Sequence, residues 1–294
     1  MRTECLPLVS VVVPCYQSRN TLASTLEAVL QQQTNFAFEM IVVESSGDGT
    51  GQWVSSKYPD VRVIEPGNRL LPGSARNVGA QQSRGEYLAF VDADAAPESE
   101  WLERLLAVLE QSEQIKLAGG AIENASHQSA AARILYWIEF SEFLPGLASG
   151  FRDHLSSSNL MVRRHDFLEA GGFDDVFGMA EDLIFSRHFR GAIYFEGSAR
   201  IFHGHRASWN SVFHHLRQLG YWSGRYRSKF PAGGAWLRHV PLLAMGLPFW
   251  RVAQILRRIF KSNSKEGLLA LLWLPGLLLG VFVWAGGFYR GLRY

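Results

Sequence analysis

The sequence predicts an α/β protein, a mostly parallel sheet with helices on both faces, followed by C-terminal membrane-associated helices. Short β-branched runs alternate with helix-like stretches through the first 120 residues, the pattern of repeated βαβ units. Polar turns close the apolar runs, where ligands of such sheets bind. Gly267–Tyr289 then runs 23 positions without a charged residue. As a helix that stretch reaches about 34 Å, enough for a hydrocarbon core of about 30 Å.

Taken in order, Val9–Pro14 reads as the first strand, and Asn20 caps a helix reaching about Gln33. Glu39–Glu44 is the second strand, closing on the turn Ser45-Ser46-Gly47-Asp48-Gly49. The cycle repeats as helix Gly51–Tyr58, strand Val61–Glu65, helix Ala75–Ser83 and strand Tyr87–Val91. Helix Glu98–Gln111 follows, with Pro97 suited to its first position, and then strand Ile115–Ala121. Residues 1–206 form the first domain on this reading. Residues 207–266 are basic amphipathic membrane-surface helices, in which Trp209, Val212, Phe213, Leu216 and Leu219 recur at helical spacing. An ordinary packed surface helix fits that pattern equally. Val240–Trp250 is too short to cross a membrane and reads as interfacial. Residues 267–294 are transmembrane or re-entrant, with a kink at Pro275.

Composition excludes other classes. With 294 residues, 47% hydrophobic and 19% charged, the chain is neither disordered nor a small disulfide scaffold. Its net charge of +2 hides a split: 13 basic residues face one acid, Glu266, from Arg206 onward, leaving −10 on the first 205 residues. Only Cys5 and Cys15 are present, in keeping with a reducing compartment. Met1–Leu8 is short and carries Glu4, unlike an export signal. Arg251, Arg257, Arg258, Lys261 and Lys265 precede the apolar stretch while Arg290 and Arg293 follow it. The positive-inside rule then places the body at the cytoplasmic face of the cell membrane. Nucleic-acid binding is disfavoured because the basic charges flank an uncharged apolar run.

Candidate chemistry sits in the strand-end turns. Pro14-Cys15-Tyr16 opens the first loop, and Glu44 at the second strand end is placed to accept from a base N–H or a sugar hydroxyl. Gly73-Ser-Ala-Arg-Asn-Val-Gly79 sets Arg76 in a helix start where it can meet phosphate or base. Asp92 and Asp94 lie two apart after an apolar strand, so their oxygens can converge on one hard cation. Glu181-Asp182 opens a helix, where an acid can cap the turn or take a proton from an acceptor hydroxyl. His203 and His205 end a strand-like segment, and either fits a metal ligand or a structural histidine, with His203 favoured.

In this order these motifs, with Asn159–Arg164 and Gly171-Gly-Phe-Asp174, resemble the family 2 glycosyltransferases, inverting enzymes of the Rossmann-like GT-A fold. The resemblance covers roughly residues 8 to 227. It implies a nucleotide-sugar donor whose base and ribose meet the first acidic loop, with Glu44, and the region of Arg76. Pro14 and Tyr16 of the opening motif join the substrate-binding set. Asp92 is then a nucleotide contact, and Asp94, with His203, ligates Mg²⁺ or Mn²⁺ on the diphosphate. Asp182 becomes the catalytic base, with Glu181 beside it. The chain departs from the family in having Glu44-Ser45-Ser46 where aspartates are usual, and in lacking the Gln-x-x-Arg-Trp motif of processive synthases. Transfer of a single sugar to a lipid-linked or polysaccharide-precursor acceptor is the expectation. Two other classes are a sugar nucleotidyltransferase and a membrane-anchored nucleotide-sugar-binding protein without activity.

Overall fold

The computed structural model describes residues 6–126, 129–205, 208–230 and 246–293, which fall into two compact units. Residues 1–122 and 148–203 make the first, and residues 123–147 and 204–294 make the second.

The first unit is organised by one sheet. Its opening elements are β1 (Val9–Cys15), α1 (Arg19–Leu30), β2 (Phe38–Glu44), α2 (Thr50–Lys57), β3 (Val61–Ile64), α3 (Pro72–Gln81) and β4 (Tyr87–Val91). Every β-branched residue of β1 and all five residues of β4 are buried. That is what a strand covered on both faces requires, and it explains the unbroken apolar runs. β1 pairs in parallel with β2 and β4, and β2 with β3. Helix α1 starts at Arg19 with Ser18 at its cap position, so Asn20 lies one residue inside the helix instead of capping it.

The sheet changes character beyond β4. β5 (Ala95–Pro97), α4 (Trp101–Gln111), β6 (Leu117–Asn124), α5 (Ala130–Phe140), β7 (Gly150–Phe151), β8 (Asn159–Arg163), α6 (Arg164–Glu169), α7 (Glu181–Ser186) and β9 (Ile193–His203) follow. The strand order is β3-β2-β1-β4-β8-β6-β9-β5, and β8 is antiparallel to both β4 and β6. The parallel arrangement expected from the βαβ series therefore holds for β1 to β4, while β8 enters from later in the chain and separates β6 from β4. Pro97 does not open a helix. It ends β5, opposite Ile201 of β9, because a ladder to a strand a hundred residues away outweighs a local capping preference. Asn159 locks this half of the sheet: it accepts from Trp101 Nε1 (2.8 Å) and donates to the carbonyls of Ala121 (2.9 Å) and Ala199 (3.0 Å).

The second unit is helical. Besides α5 it contains α8 (Trp209–Lys229), α9 (Leu247–Ser262), α10 (Ser264–Leu272) and α11 (Leu274–Leu292). α8 and α11 cross closely through two small-residue pairs, Gly220 with Gly224 and Gly287 with Gly291. A Cβ at any of the four would strike the backbone of the other helix. Of the apolar stripe of α8, Val212 and Leu216 are buried, Phe213 and Leu219 are half-buried and Trp209 is exposed. Gly267–Tyr289 is not one straight helix. It breaks at Trp273, with Pro275 in the first turn of α11, and the two pieces bend by 80°. Among the described residues no single helix is long and apolar enough to cross a membrane, although this bent pair together has the length and composition to do so. Most of Val240–Trp250, and the boundary at 206–207, lie outside the described residues.

Candidate active site

Three of the expected residues meet at the edge of the first unit. The β5–β9 ladder pairs Ala95 with His203, which lays the histidine over the turn that carries Asp92 and Asp94. His203 Nε2 is 3.4 Å from Asp94 Oδ1 and 3.6 Å from Asp92 Oδ2. The ligand atoms of all three residues lie within 4.8 Å of one another. Two carboxylate oxygens and one imidazole nitrogen suit Mg²⁺ or Mn²⁺, so the donor set fits the cation the resemblance implied. His205 takes no part. Its ring packs against Tyr136 and Phe140 of the second unit, 5.6 Å from each. A second acid and histidine group, His165, Asp166 and Glu169, is mostly exposed, and Asp166 is held by Lys116 at 2.8 Å.

Arg76 connects this cluster to the other acidic pair. It is buried, with only 2% of its surface exposed. Its Nη2 lies 2.5 Å from Asp92 Oδ1 and its Nη1 lies 3.1 Å from Glu181 Oε1. Both guanidinium contacts are to internal carboxylates. Both carboxylates are affected. Burial would raise Asp92, but Arg76 and His203 overcome it and hold the carboxyl down to about 2. Glu181 moves the other way, to about 8, because burial and the adjacent Asp182 outweigh its share of Arg76. Its Oε2 and Arg76 Nε are buried without hydrogen-bond partners. Asp182 is half-buried in the first turn of α7, and its Oδ1 accepts from the Leu183 amide at 2.7 Å.

The motif around Arg76 has a structural task that the sequence reading missed. Asn77 accepts from the Phe173 amide and donates to the Phe173 carbonyl, both at 2.8 Å, while Ser74 donates to Asp175 at 2.8 Å. Gly171 and Gly172 adopt φ of +81° and +74°, a backbone that favours glycine. A Cβ at Gly172 would lie 2.6 Å from Asn77 Oδ1. The glycine-rich loop is therefore clamped onto α3, and the clamp positions Glu181-Asp182. Paired small and polar residues in both motifs were its only visible signal.

The nucleotide-side candidates are placed as follows. Pro14 lies in β1 opposite Val43. Tyr16 follows that strand and carries the Arg69 guanidinium over its ring at 4.5 Å. Gln17 next to it has φ of +51°, uncommon for a residue with a side chain. Glu44 is buried, and its oxygens accept from the Ser46 amide (2.7 Å), the Ser46 hydroxyl and the Gly47 amide (3.2 Å). It shapes the acidic turn at the end of β2.

The chain is similar to known proteins in sequence and in fold. Glycosyltransferase AglE of Haloferax volcanii is 30% identical over 176 residues, covering 58% of this chain and 57% of that protein. The glucosyl-dolichyl phosphate glucuronosyltransferase of the same organism is 27% identical over 195 residues, covering 61% and 60%. The chain thus spans less than two thirds of either relative. The crystal structure of S. aureus TarS in complex with UDP superposes with a TM-score of 0.54 at 16% identity, covering 97% of this chain and 90% of that one. It shares the GT-A type architecture. Residues 10–169 match glycosyl transferase family 2 across more than half the chain, and the protein belongs to that family.

Proposed function

We propose that the chain is an inverting, metal-dependent glycosyltransferase, moving one sugar from a nucleotide-sugar donor to a hydroxyl of a lipid-linked or polysaccharide-precursor acceptor. The observation that carries this reading is the bridge from Asp92 through Arg76 to Glu181. It joins a cation-type cluster to the acid pair in which Asp182 is the base. Asp94 and His203, with Asp92, are the groups that would hold Mg²⁺ or Mn²⁺. When bound there, the cation supplies positive charge to the departing diphosphate. Asp182 takes the proton of the acceptor hydroxyl, a contribution of about 10²–10⁴-fold. Arg76 keeps Asp92 ionised and fixes the first turn of α7. Inversion and single transfer follow from the family resemblance and from the absent processive motif.

The lipid-linked acceptor is supported by the named activity of the glucuronosyltransferase relative and by the second unit's surface. Phe249, Trp250, Leu268 and Leu272 are 59%, 61%, 60% and 78% exposed among basic residues, as suits a helical foot on anionic lipid at the cytoplasmic face. The deciding experiment is a panel of sugar nucleotides with Mn²⁺ and membrane lipid extract, scored for release of nucleoside diphosphate. Release that depends on acceptor and metal is expected. Pyrophosphate release would assign a nucleotidyltransferase, and no release with any donor would remove the enzymatic reading.

A further inference from the structure

The most apolar helix of the second unit is also one that protein covers on most of its sides. Of the 19 residues of α11, those exposed are Pro275, Leu279, Phe282, Gly286 and Arg290. At about 100° per residue these five fall within about a quarter of the circumference, a single narrow stripe. The remaining sides face α5 and α8. A Cβ at Gly276 or Gly280 would meet Ile134 of α5, and one at Gly287 or Gly291 would strike the Tyr221 backbone of α8.

Neither neighbour suits a hydrocarbon core. α5 has 11 residues, too few to cross, and the chain on either side of residues 123–147 belongs to the first unit. α8 carries His214, Arg217 and Gln218 exposed, and the Arg217 carbonyl lies where a Cβ on Gly287 would sit. Were α11 to cross a bilayer, α8 would share its depth through that backbone contact, with Arg217 inside the hydrocarbon layer. A charged side chain there is costly.

The exposed stripe instead continues sideways. Phe282 meets Phe249 of α9 edge to face, with ring centroids 5.6 Å apart. Leu279 and Phe282 are 51% and 46% exposed, and Trp250 beside Phe249 is exposed as well. Arg257 and Lys261 lie exposed on the same face of α9 as Phe249 and Trp250. An apolar strip with cations alongside it matches an anionic leaflet met from one side.

We propose that α11 lies along one leaflet of an anionic bilayer, dipping Leu279 and Phe282 into it beside Phe249 and Trp250, so that Arg293 stays on the same side of the membrane as Lys261. This placement rests on the lipid-foot part of the functional reading and adds the side on which the apolar stretch begins and ends. It is tested on the full chain in sealed inside-out membrane vesicles from an expression host. Lys261→Cys and Arg293→Cys are each introduced with Cys5→Ser, Cys15 being buried. A membrane-impermeant maleimide is applied before and after permeabilisation, with labelling in SDS as the reference.

Equal labelled fractions at the two positions before permeabilisation are expected. Phe282→Glu should also lower flotation with phosphatidylglycerol-containing vesicles about tenfold, the scale of one buried apolar side chain. Gln218→Glu adds the same charge to the exposed side of α8 and should leave flotation unchanged. Labelling of Arg293→Cys only after permeabilisation, with Lys261→Cys labelled before it, would show a span and overturn the placement while leaving the foot intact. Flotation unaltered in Phe282→Glu, or lowered equally in Gln218→Glu, would also overturn it. A chain absent from the washed vesicles would remove the lipid foot itself, and this placement with it.

Discussion

Arg76 holds two carboxylates that sit 16 and 105 positions away from it in the chain. A buried guanidinium with two acid partners is costly to disturb, since removing it leaves the ionised Asp92 without its cation. Asp182 beside this network should be separable from it. Asp182→Asn is expected to leave donor affinity unchanged in calorimetry while turnover falls by about 10²-fold or more. Asp94→Ala should instead abolish the dependence of donor affinity on Mn²⁺, and an unaltered Mn²⁺ titration would remove Asp94 from the cation set. Glu181 makes a pH prediction. Unfolded, its carboxyl ionises near the ordinary 4.5, whereas in the fold it keeps its proton to about 8. Between those values the folded chain binds the extra proton, so stability falls as pH rises across that window. Glu181→Gln carries no such proton, and its melting temperature should decline less over the same range.

The elements show which local signals carry weight. β4 occupies the residues its pattern predicted, because a doubly covered strand must be apolar throughout, and β1 to β3 differ by a residue or so at their ends. Helix starts were less legible: α1 begins before Asn20, and α4 begins at Trp101, after β5 has taken Pro97. The α8–α11 crossing was present in the sequence as two glycine pairs spaced four apart, a pattern that identifies a close contact only once its partner is known. Gly220→Leu should force these helices apart and destabilise the chain by about 1–3 kcal/mol, measured by chemical denaturation. A variant as stable as the parent would show that the crossing is not tight.

Taken whole, the chain assigns most of its acids to the first unit and its late basic residues to the second. The segment 123–147 belongs with the C-terminal helices although it lies between strands of the sheet. If the apolar surface of α9 and α10 rests on lipid, Leu272→Asp and Trp250→Glu should reduce flotation with anionic vesicles about tenfold or more. Burial of each such side chain is worth about 1.5–3 kcal/mol. Flotation unchanged in both variants would exclude that surface as the foot.

The amino-acid order was enough for the βαβ series, the acidic turns, the family and the break before Pro275, because periodicity, turn chemistry and proline geometry act over a few residues. It did not contain the antiparallel half of the sheet, the burial of Arg76 or the clamp of Asn77 on the glycine loop. Those depend on contacts between residues far apart along the chain, such as Asn77 with Phe173, and no local period encodes them. Asp92 and Asp94 were legible as a pair. Their joining to Glu181 and Asp182 needed the fold to bring α3 between them.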